Sequence, residues 1–392
     1  MNKIFIKKSV LKSVTGGHPW IFSGAIDKEK SKNLKDGQLC EIWCENKFIG
    51  IGYYNSKTDI AIRILTRVKR EINKDFFLNR FRILKENKEK FLYNTNAYRL
   101  VFGESDNIPG LVVDIYNNVI VIQVHTLGIE LLKGYIIEAL KEIFKPDMIY
   151  EKSDIGIREK EGLKKENSGV LSGNLIKYID IVENNVKFRV NIIEGQKTGF
   201  FLDQRENRKS LQKYSENKNV LNCFCYTGGF SVYAAFNAKS VTSIDISKNA
   251  IEDAKVNFSL NGFDINKYQF ISKDVFEFLQ EMKKDQFDMI ILDPPSFAKN
   301  KKQVKNAIKA YITINSKALE KLPDYGILVS SSCTAHIDEN TFIKILHTSS
   351  VNTNCQLKVL ESKCQPYDHP YNLSFPEGRY LKFFVLQKIP IL

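Results

Sequence analysis

The sequence contains no run of about 20 apolar residues, which is the length that a membrane-spanning helix requires. Its first segment, MNKIFIKKSVLKS, has Lys3, Lys7 and Lys8 where the apolar core of a signal peptide would stand. We therefore expect a cytoplasmic protein with no membrane partner. Apolar residues make up 43% of the chain and charged residues 26%, a balance typical of globular proteins.

Cysteine is sparse and irregularly spaced, which argues against a disulfide framework and against a structural zinc site. The count is seven, an odd number, so a complete disulfide framework is not predicted. The pairs Cys40/Cys44 and Cys223/Cys225 lack the two-residue gap and the second ligand pair of a zinc site. We predict no metal site.

Acidic residues are fewer than basic ones, 45 against 58, and the net charge is +13. An excess of lysine and arginine favours a polyanionic partner, because basic side chains release counterions from phosphates when they bind. A lysine-rich solvated surface is the alternative. The charge alone therefore indicates nucleic acid only modestly.

Three successive patterns divide the 392 residues. Residues 1–70 alternate short apolar runs with turns such as TGGHPW, which predicts a small all-β domain. Residues 71–185 begin with a basic helical stretch and continue as an α+β pattern. Residues 186–392 alternate strands with helices, which predicts an α/β domain with a parallel, doubly wound sheet.

Five apolar runs in the third segment predict its strands: NVLNCF, SVTSIDI, YQFISKD, FDMIILD and GILVSSS. Ligands of such sheets bind beyond the carboxyl ends of the strands. No G-x-G-x-x-G turn follows the first run, which argues against a dinucleotide oxidoreductase. The chemistry is instead expected in the short segments that follow each run.

Polar and glycine residues follow the first three runs. Gly228 and Gly229 permit a tight turn and a close backbone approach to a ligand. Asp245 can accept hydrogen bonds from ribose hydroxyls, and the competing role of helix cap can be filled by Ser247. Asp274 can contact an adenine amino group or cap the next helix, and the sequence favours neither.

The fourth and fifth runs end in Asp293-Pro294-Pro295 and in Cys333. Two prolines fix the backbone and form a rigid platform for a planar base. A lone cysteine is often a small buried hydrophobe. Because Cys333 stands where the strand ends, one strand from Asp293, we favour a thiolate nucleophile with a carboxyl partner. These two groups suit alkylation of a pyrimidine at carbon 5, which requires thiolate addition at carbon 6.

The whole chain resembles class I S-adenosylmethionine-dependent methyltransferases of the ribosomal large subunit methyltransferase I type, which modify cytosine at carbon 5 in large-subunit (23S) rRNA. GGHPWIFSGAI is similar to the start of that family's PUA barrel, an RNA-binding domain, and YRLVFGESDNIPGLVVDIY to its central α+β domain. EGQKTGFFLDQRENR, NCFCYTGGFSVYAA, LDPPSFAKNKK, SSSCTAHI and DHPYNLSFPEGRYLK then match in order. The resemblance implies a Rossmann-like catalytic domain, large-subunit rRNA as partner and a possible homodimer.

The resemblance also implies roles for single residues. Asp293 matches the catalytic platform, and Cys333 matches the nucleophile. S-adenosylmethionine is the implied cofactor, and the matching binding positions are Gln196, Thr198, Gly199, Phe201, Asp203, Phe224, Tyr226, Thr227, Gly228, Gly229, Asp245, Asp274, Asp293 and Pro294.

Two positions depart from related patterns. Many RNA cytosine-5 methyltransferases carry a second cysteine after the two prolines, where this chain has Ser296. The resembled family also lacks that cysteine. After the nucleophile a serine is expected, and Thr334 stands there. A methyltransferase acting on an exocyclic base nitrogen, with Phe297 as stacking aromatic, is the runner-up. A non-catalytic RNA-binding ribosome-assembly factor is a third possibility.

Aromatic residues of the first segment have two interpretations each. Trp20 is either an RNA contact or a structural corner, and we favour the corner. Tyr53 and Tyr54 either stack on bases or pack the barrel. Lys7, Lys8 and Lys12 are better candidates for phosphate contacts, and a solvated face is the alternative.

Overall fold

A computed structural model describes residues 1–31, 34–154, 156–298 and 300–391. The chain forms two compact units. The first unit comprises Met1–Val182, Val190–Leu202 and Tyr367–Gly378, and the second comprises Glu183–Arg189, Asp203–Pro366 and Arg379–Leu392. The division into domains at residues 70 and 185 stays a prediction.

The first sheet of the first unit has five strands in the order β1-β3-β4-β5-β2. Strands β1 and β3 pair in parallel, and the other pairs are antiparallel. One face buries β-branched residues such as Ile42 and Ile62, which suit a pleated strand. The elements are β1 (Asn2–Phe5), α1 (Leu11–Thr15), β2 (Trp20–Phe22), β3 (Leu39–Cys44), β4 (Lys47–Tyr54) and β5 (Ile60–Thr66).

The second sheet of this unit has the order β10-β9-β8-β7-β6 and is covered by two long helices. Helix α2 begins where the Asn73 side chain accepts a hydrogen bond from the Phe76 amide at 3.1 Å. The elements are α2 (Lys74–Glu89), β6 (Ala97–Phe102), β7 (Leu111–Tyr116), β8 (Val119–Val124), α3 (Leu127–Phe144), β9 (Met148–Lys152), α4 (Ile157–Lys160) and β10 (Ser168–Gly173).

Tyr53 joins the cores of these two sheets within the first unit. Its ring is 1% exposed, and its hydroxyl donates to the Pro109 carbonyl oxygen at 2.8 Å and lies 2.9 Å from Thr126 Oγ1. Trp20 is likewise held, because its indole N–H donates to Glu104 Oε1 at 2.9 Å. Packing is therefore the role that the structure gives to both side chains.

Strands β11 (Tyr178–Glu183) and β12 (Val186–Asn191) form a two-stranded sheet. The turn between them contains Asn184 and Asn185, whose φ angles are 49° and 68°. Two successive residues with positive φ are typical of the two-residue turn that matches the twist of paired strands, and asparagine tolerates that conformation.

The second unit contains a seven-stranded sheet in the order β15-β14-β13-β16-β17-β19-β18. The five predicted runs form β13 to β17, all parallel, and the predicted α/β fold class is confirmed. Strand β19 pairs antiparallel with β17 and β18. The elements are α5 (Arg205–Ser210), β13 (Asn219–Cys223), α6 (Gly229–Ala235), β14 (Ser240–Asp245), α7 (Lys248–Leu260), β15 (Gln269–Ser272), α8 (Val275–Glu281), β16 (Met289–Leu292), α9 (Val304–Lys321), β17 (Ile327–Ser332), α10 (Glu339–Asn352), β18 (Cys355–Lys363) and β19 (Lys382–Pro390).

The strand order of this sheet reverses between β13 and β16, because the chain first builds outward through β14 and β15 and then returns. A crevice forms at such a reversal beyond the carboxyl ends of the two strands. The segments after β13, β14, β16 and β17 therefore all lie at the edge where a ligand binds.

Short 3-10 helices complete the secondary structure, at Lys8–Val10, Ser23–Ala25, Gly103–Asp106, Leu202–Gln204, Leu211–Lys213, Ile265–Lys267, Lys301–Gln303 and Pro376–Gly378. Across the described ranges, no helix combines the length and the apolar character needed to span a membrane.

Candidate methyl-transfer site

The loop after β13 is held in an unusual backbone conformation. Phe224, Tyr226 and Gly228 all have positive φ angles, of 57°, 48° and 77°. The Gly228 amide donates to the Cys225 carbonyl oxygen at 2.8 Å, which closes the turn before α6. A Cβ at Gly228 would lie 3.0 Å from the Cβ of Ala254, so both the conformation and the space favour glycine.

Asp245, the last residue of β14, fixes this loop through its carboxylate. Oδ2 accepts from the Tyr226 amide and Oδ1 from the Ser247 amide, both at 2.9 Å. The Ser247 hydroxyl accepts from the Ala250 amide at 3.3 Å and so caps α7. Because Ser247 caps α7, Asp245 is not needed as the cap of that helix. Its predicted contact with ribose stays a prediction.

Asp274 does act as a helix cap. Its Oδ1 accepts from the Glu277 amide at 3.1 Å, at the start of α8. The structure therefore gives this side chain the structural role that the sequence left open. An additional contact with adenine stays a prediction.

Two further predicted residues lie beside the loop. The Thr227 carbonyl oxygen accepts from Asn257 Nδ2 at 2.8 Å. The Thr227 hydroxyl oxygen is shielded from solvent and has no hydrogen-bond partner in the described protein. A Cβ at Gly229 would meet Arg208 Cδ at 3.0 Å, so this position is also closely packed.

Asp293 lies directly after β16, where Leu292 pairs with Ser330 of β17. Gln204 Nε2 donates to Asp293 Oδ1 at 2.9 Å and to Ser331 Oγ at 3.0 Å. The buried Gln204 side chain thus ties together the carboxyl ends of β16 and β17. Pro294, which follows Asp293, is buried.

Sequence reasoning did not single out Gln204. Its neighbour Asp203 was matched as a cofactor position, and the structure buries Asp203 with Oδ2 accepting from the Tyr380 hydroxyl at 2.6 Å. The one feature of the sequence that could have pointed to Gln204 is its position next to Asp203. A partner more than 80 residues away in sequence carries no local pattern.

Cys333 follows the last residue of β17 and is half-buried, whereas Cys223 and Cys225 are buried. Its neighbours in sequence, Ser332 and Thr334, belong to a chain of hydroxyl groups. Thr334 Oγ1 is 3.1 Å from Ser296 Oγ and 3.0 Å from the Tyr311 hydroxyl. The two residues that departed from related patterns, Ser296 and Thr334, therefore contact each other directly.

This hydroxyl chain continues to Ser332 Oγ, which donates to the Tyr311 hydroxyl at 3.0 Å. Burial raises the pKa of Tyr311 to about 12, so this phenol stays protonated at neutral pH. Phe297 is partly buried and packs against the core of the second unit, with its ring centroid 4.7 Å from that of Tyr311.

The predicted cofactor-binding residues before Asp203, which are Gln196, Thr198, Gly199 and Phe201, belong to the first unit. The Gly199 amide donates to the Gln196 carbonyl oxygen at 2.8 Å, and the Lys197 ammonium stands 4.4 Å from the centroid of the Phe201 ring. Thr198 is fully buried. Its hydroxyl donates to a carboxylate of this unit rather than pointing to solvent.

Comparison with known proteins identifies the family. Residues 163–362 match a family described as S-adenosylmethionine-dependent methyltransferase, and residues 4–67 match a PUA-like domain. The ribosomal RNA large subunit methyltransferase I of Aeromonas hydrophila is 39% identical over 98% of each chain. The chain belongs to the ribosomal RNA large subunit methyltransferase I family.

Two further relatives of this methyltransferase extend the comparison. The protein of the same name from Vibrio parahaemolyticus is 41% identical over 97% of this chain and 98% of its own. The crystal structure of SMU.776, a putative methyltransferase complexed with SAH, superposes with a TM-score of 0.84 and 26% identity, covering 99% of this chain and 100% of that one.

The cofactor of this methyltransferase is therefore S-adenosylmethionine, as the sequence predicted. The residues of the second unit fit such a group. The loop after β13 needs glycine at position 228, Asp245 presents a carboxylate beside it, and the Thr227 hydroxyl lacks a protein partner. A polar cofactor can supply the hydrogen bond that the Thr227 hydroxyl lacks.

Proposed function

We propose that this methyltransferase transfers a methyl group to carbon 5 of a cytosine in large-subunit ribosomal RNA, with Cys333 as the nucleophile. The observation that carries the proposal is the position of Asp293 and Cys333 at the ends of adjacent parallel strands. The names of the relatives support the RNA substrate, and the PUA-like match and the net charge of +13 agree with it.

The reaction begins with addition of the Cys333 thiolate to carbon 6 of the base. The S–C6 bond forms and the C5–C6 π bond opens, while N3 takes up the displaced electrons together with a proton from the Asp293 carboxyl group, which also contacts the exocyclic amino group. Gln204 holds this carboxyl group by its Nε2–H, so Asp293 is oriented before the base arrives. Carbon 5 is thereby made nucleophilic.

The bound cofactor supplies an electrophilic methyl group. Asp245 and the loop from Phe224 to Gly229 would hold it in the second unit, together with Asp274 and Asp203. The resemblance also assigns cofactor binding to Gln196, Thr198, Gly199 and Phe201. Once carbon 5 is methylated, N3 returns its proton to Asp293 and solvent water takes up the proton of carbon 5. The S–C6 bond then breaks, Cys333 leaves as the thiolate, and the aromatic ring is restored.

The environment of Phe297 argues against the alternative of methylation at an exocyclic nitrogen. That chemistry usually places an aromatic ring directly after the two prolines to stack on the base, and this chain has Ser296 there, followed by Phe297. Phe297 instead packs on Tyr311, and its centroid is 6.4 Å from that of Phe276. Cytosine-5 methylation is therefore the better supported function.

The test is methyl transfer from labelled S-adenosylmethionine to unmodified large-subunit rRNA, followed by digestion and identification of the labelled nucleoside by mass. Cys333→Ala is compared with Cys364→Ala, because Cys364 is the other half-buried thiol. We expect 5-methylcytidine from the wild type and from Cys364→Ala, and none from Cys333→Ala. Label on another base, or full activity in Cys333→Ala, would refute the proposal.

A further inference from the structure

Lys382, the first residue of β19, is buried close to the end of β17. It is 5% exposed and pairs across the sheet with Ser332, the residue before Cys333. Its ammonium group donates to the carbonyl oxygens of Thr334 and Tyr380, each at 2.7 Å. In the described part of the chain, no carboxylate forms an ion pair with it, although buried lysines are usually paired.

Burial without a paired carboxylate disfavours the charged form of this lysine and lowers the pKa of Lys382 to about 8. Among the charges that act in the opposite direction, Cys333 comes first, followed by Asp338 and Glu339. Asp338 caps α10 and Glu339 pairs with Arg379, so both carboxylates have other partners. Cys333, when ionised, is thus the anion that most favours the ammonium.

Attraction between two charges is mutual. If the thiolate favours the protonated lysine, the ammonium favours the thiolate by the same free energy. Cysteines beside a lysine are known to ionise more readily for this reason. Tyr311, which interacts with Cys333, is neutral at pH 7 and supplies no cation.

We propose that Lys382 is a positioning residue for the reaction, whose ammonium, anchored on the carbonyl oxygens of Thr334 and Tyr380, holds Cys333 in the thiolate form that addition to the base requires. The inference rests on the proposed function of Cys333 as nucleophile. In other thiol enzymes a neighbouring general base favours the thiolate. Here that role is assigned to a lysine that is far away in sequence but lies on the next strand of the sheet. The backbone carbonyls keep the ammonium in place before the substrate binds.

The first experiment measures the rate of alkylation of Cys333 by iodoacetamide between pH 6 and 10, read from the Cys333 peptide by mass, in a Cys364→Ser background. We expect half-maximal reactivity in the wild type about one unit below the roughly 8.5 of a free cysteine. Lys382→Met should raise this midpoint by about one unit, which is roughly a tenfold slower reaction at pH 7. Lys382→Arg, which keeps the charge, should stay near the wild type.

Lys388→Met is the matched control. Lys388 lies on the same strand, and its ammonium also donates to a backbone carbonyl oxygen, that of Leu322, at 2.6 Å. The variant loses the same charge far along β19, so its alkylation midpoint should not move. An unchanged alkylation midpoint in Lys382→Met would overturn the proposal, even if methyl transfer fell. Lys382 would then have only a structural role, through its hydrogen bonds to the Thr334 and Tyr380 carbonyl oxygens.

Two further measurements keep the test decisive. If Lys382→Met does not fold, a wild-type midpoint above about 8.5 overturns the proposal without any variant. The pH profile of kcat for methyl transfer should shift to higher pH in Lys382→Met and be restored in Lys382→Arg. If Cys333→Ala keeps its methyl-transfer activity, the proposed function fails. If the alkylation of Cys333 in the other variants still depends on Lys382, the effect of Lys382 on thiolate formation stands independently.

Discussion

Thr198 was predicted to bind the cofactor. Its contacts within the first unit predict instead that its hydroxyl contributes to the free energy of unfolding of that unit. Its hydroxyl donates to Asp114 Oδ2 at 2.6 Å and lies 2.8 Å from the Tyr116 hydroxyl. Asp114 is fully buried and also accepts from Arg99 Nε and Nη2, both at 2.7 Å. The hydroxyl is therefore one of the donors that stabilise a buried carboxylate.

Thr198→Val removes this hydroxyl and nearly preserves the shape of the side chain. A hydrogen bond to a charged group contributes about 1.5–3 kcal/mol, and the Asp114 carboxylate left with fewer donors has no access to water. We expect the free energy of unfolding of the first unit to fall by about 2 kcal/mol. Thr198→Ser keeps the hydroxyl and serves as the control, with a loss below about 1 kcal/mol.

The assay is native-state hydrogen exchange, read on peptides that cover β7 and Phe200, together with calorimetric binding of S-adenosylmethionine. Exchange resolves the first unit by itself, which a single unfolding transition does not. A change below about 0.5 kcal/mol in Thr198→Val would refute the hydrogen-bond argument. A tenfold weaker cofactor affinity with unchanged exchange would instead favour direct contact of the hydroxyl with the cofactor.

Three other predictions concern the loop, the strand ends and acid stability. Gly228→Ala should weaken cofactor affinity and cost about 1–3 kcal/mol of stability, measured by calorimetry and urea unfolding; Gly262→Ala, with a similar φ of 79° but open space, should cost stability alone. Gln204→Leu should lower kcat with little change in KM for RNA, since it releases Asp293 without removing a predicted RNA contact; an unchanged kcat would contradict its orienting role. Burial, followed by nearby arginine charges, lowers the pKa of His125 to about 4. Below pH 6.5 the unfolded chain therefore binds a proton that the folded chain does not, and the free energy of unfolding should fall by at most about 3 kcal/mol between pH 6.5 and 4. His125→Gln should flatten this pH dependence of the free energy of unfolding.

Much of the catalytic unit followed from the sequence, because strands buried on both faces are continuous apolar runs. The run ending at Asp293 and the run ending at Cys333 are the fourth and fifth strands of an alternating pattern, so their adjacency could be predicted. Strand β18 was not assigned. Most of its residues are exposed or half-buried, and such an edge strand has no apolar run to mark it.

Cap assignments show a second limit. The sequence correctly offered Ser247 as the cap of α7, and the structure confirms it. For Asp274 the same local pattern permitted either a cap or a ligand contact. A short polar side chain before a helix satisfies both descriptions, and local sequence cannot separate them.

By itself, the sequence determined the fold class, the family and the order of the strand ends, because these depend on local apolar periodicity and on ordered motifs. The tertiary structure alone decided which distant side chains act on those ends. Gln204 reaches Asp293 from the segment before β13, and Lys382 reaches the Thr334 carbonyl from an antiparallel strand. Their partners lie 89 and 48 residues away, and hydrogen bonds between residues so far apart leave no periodic signal in either segment.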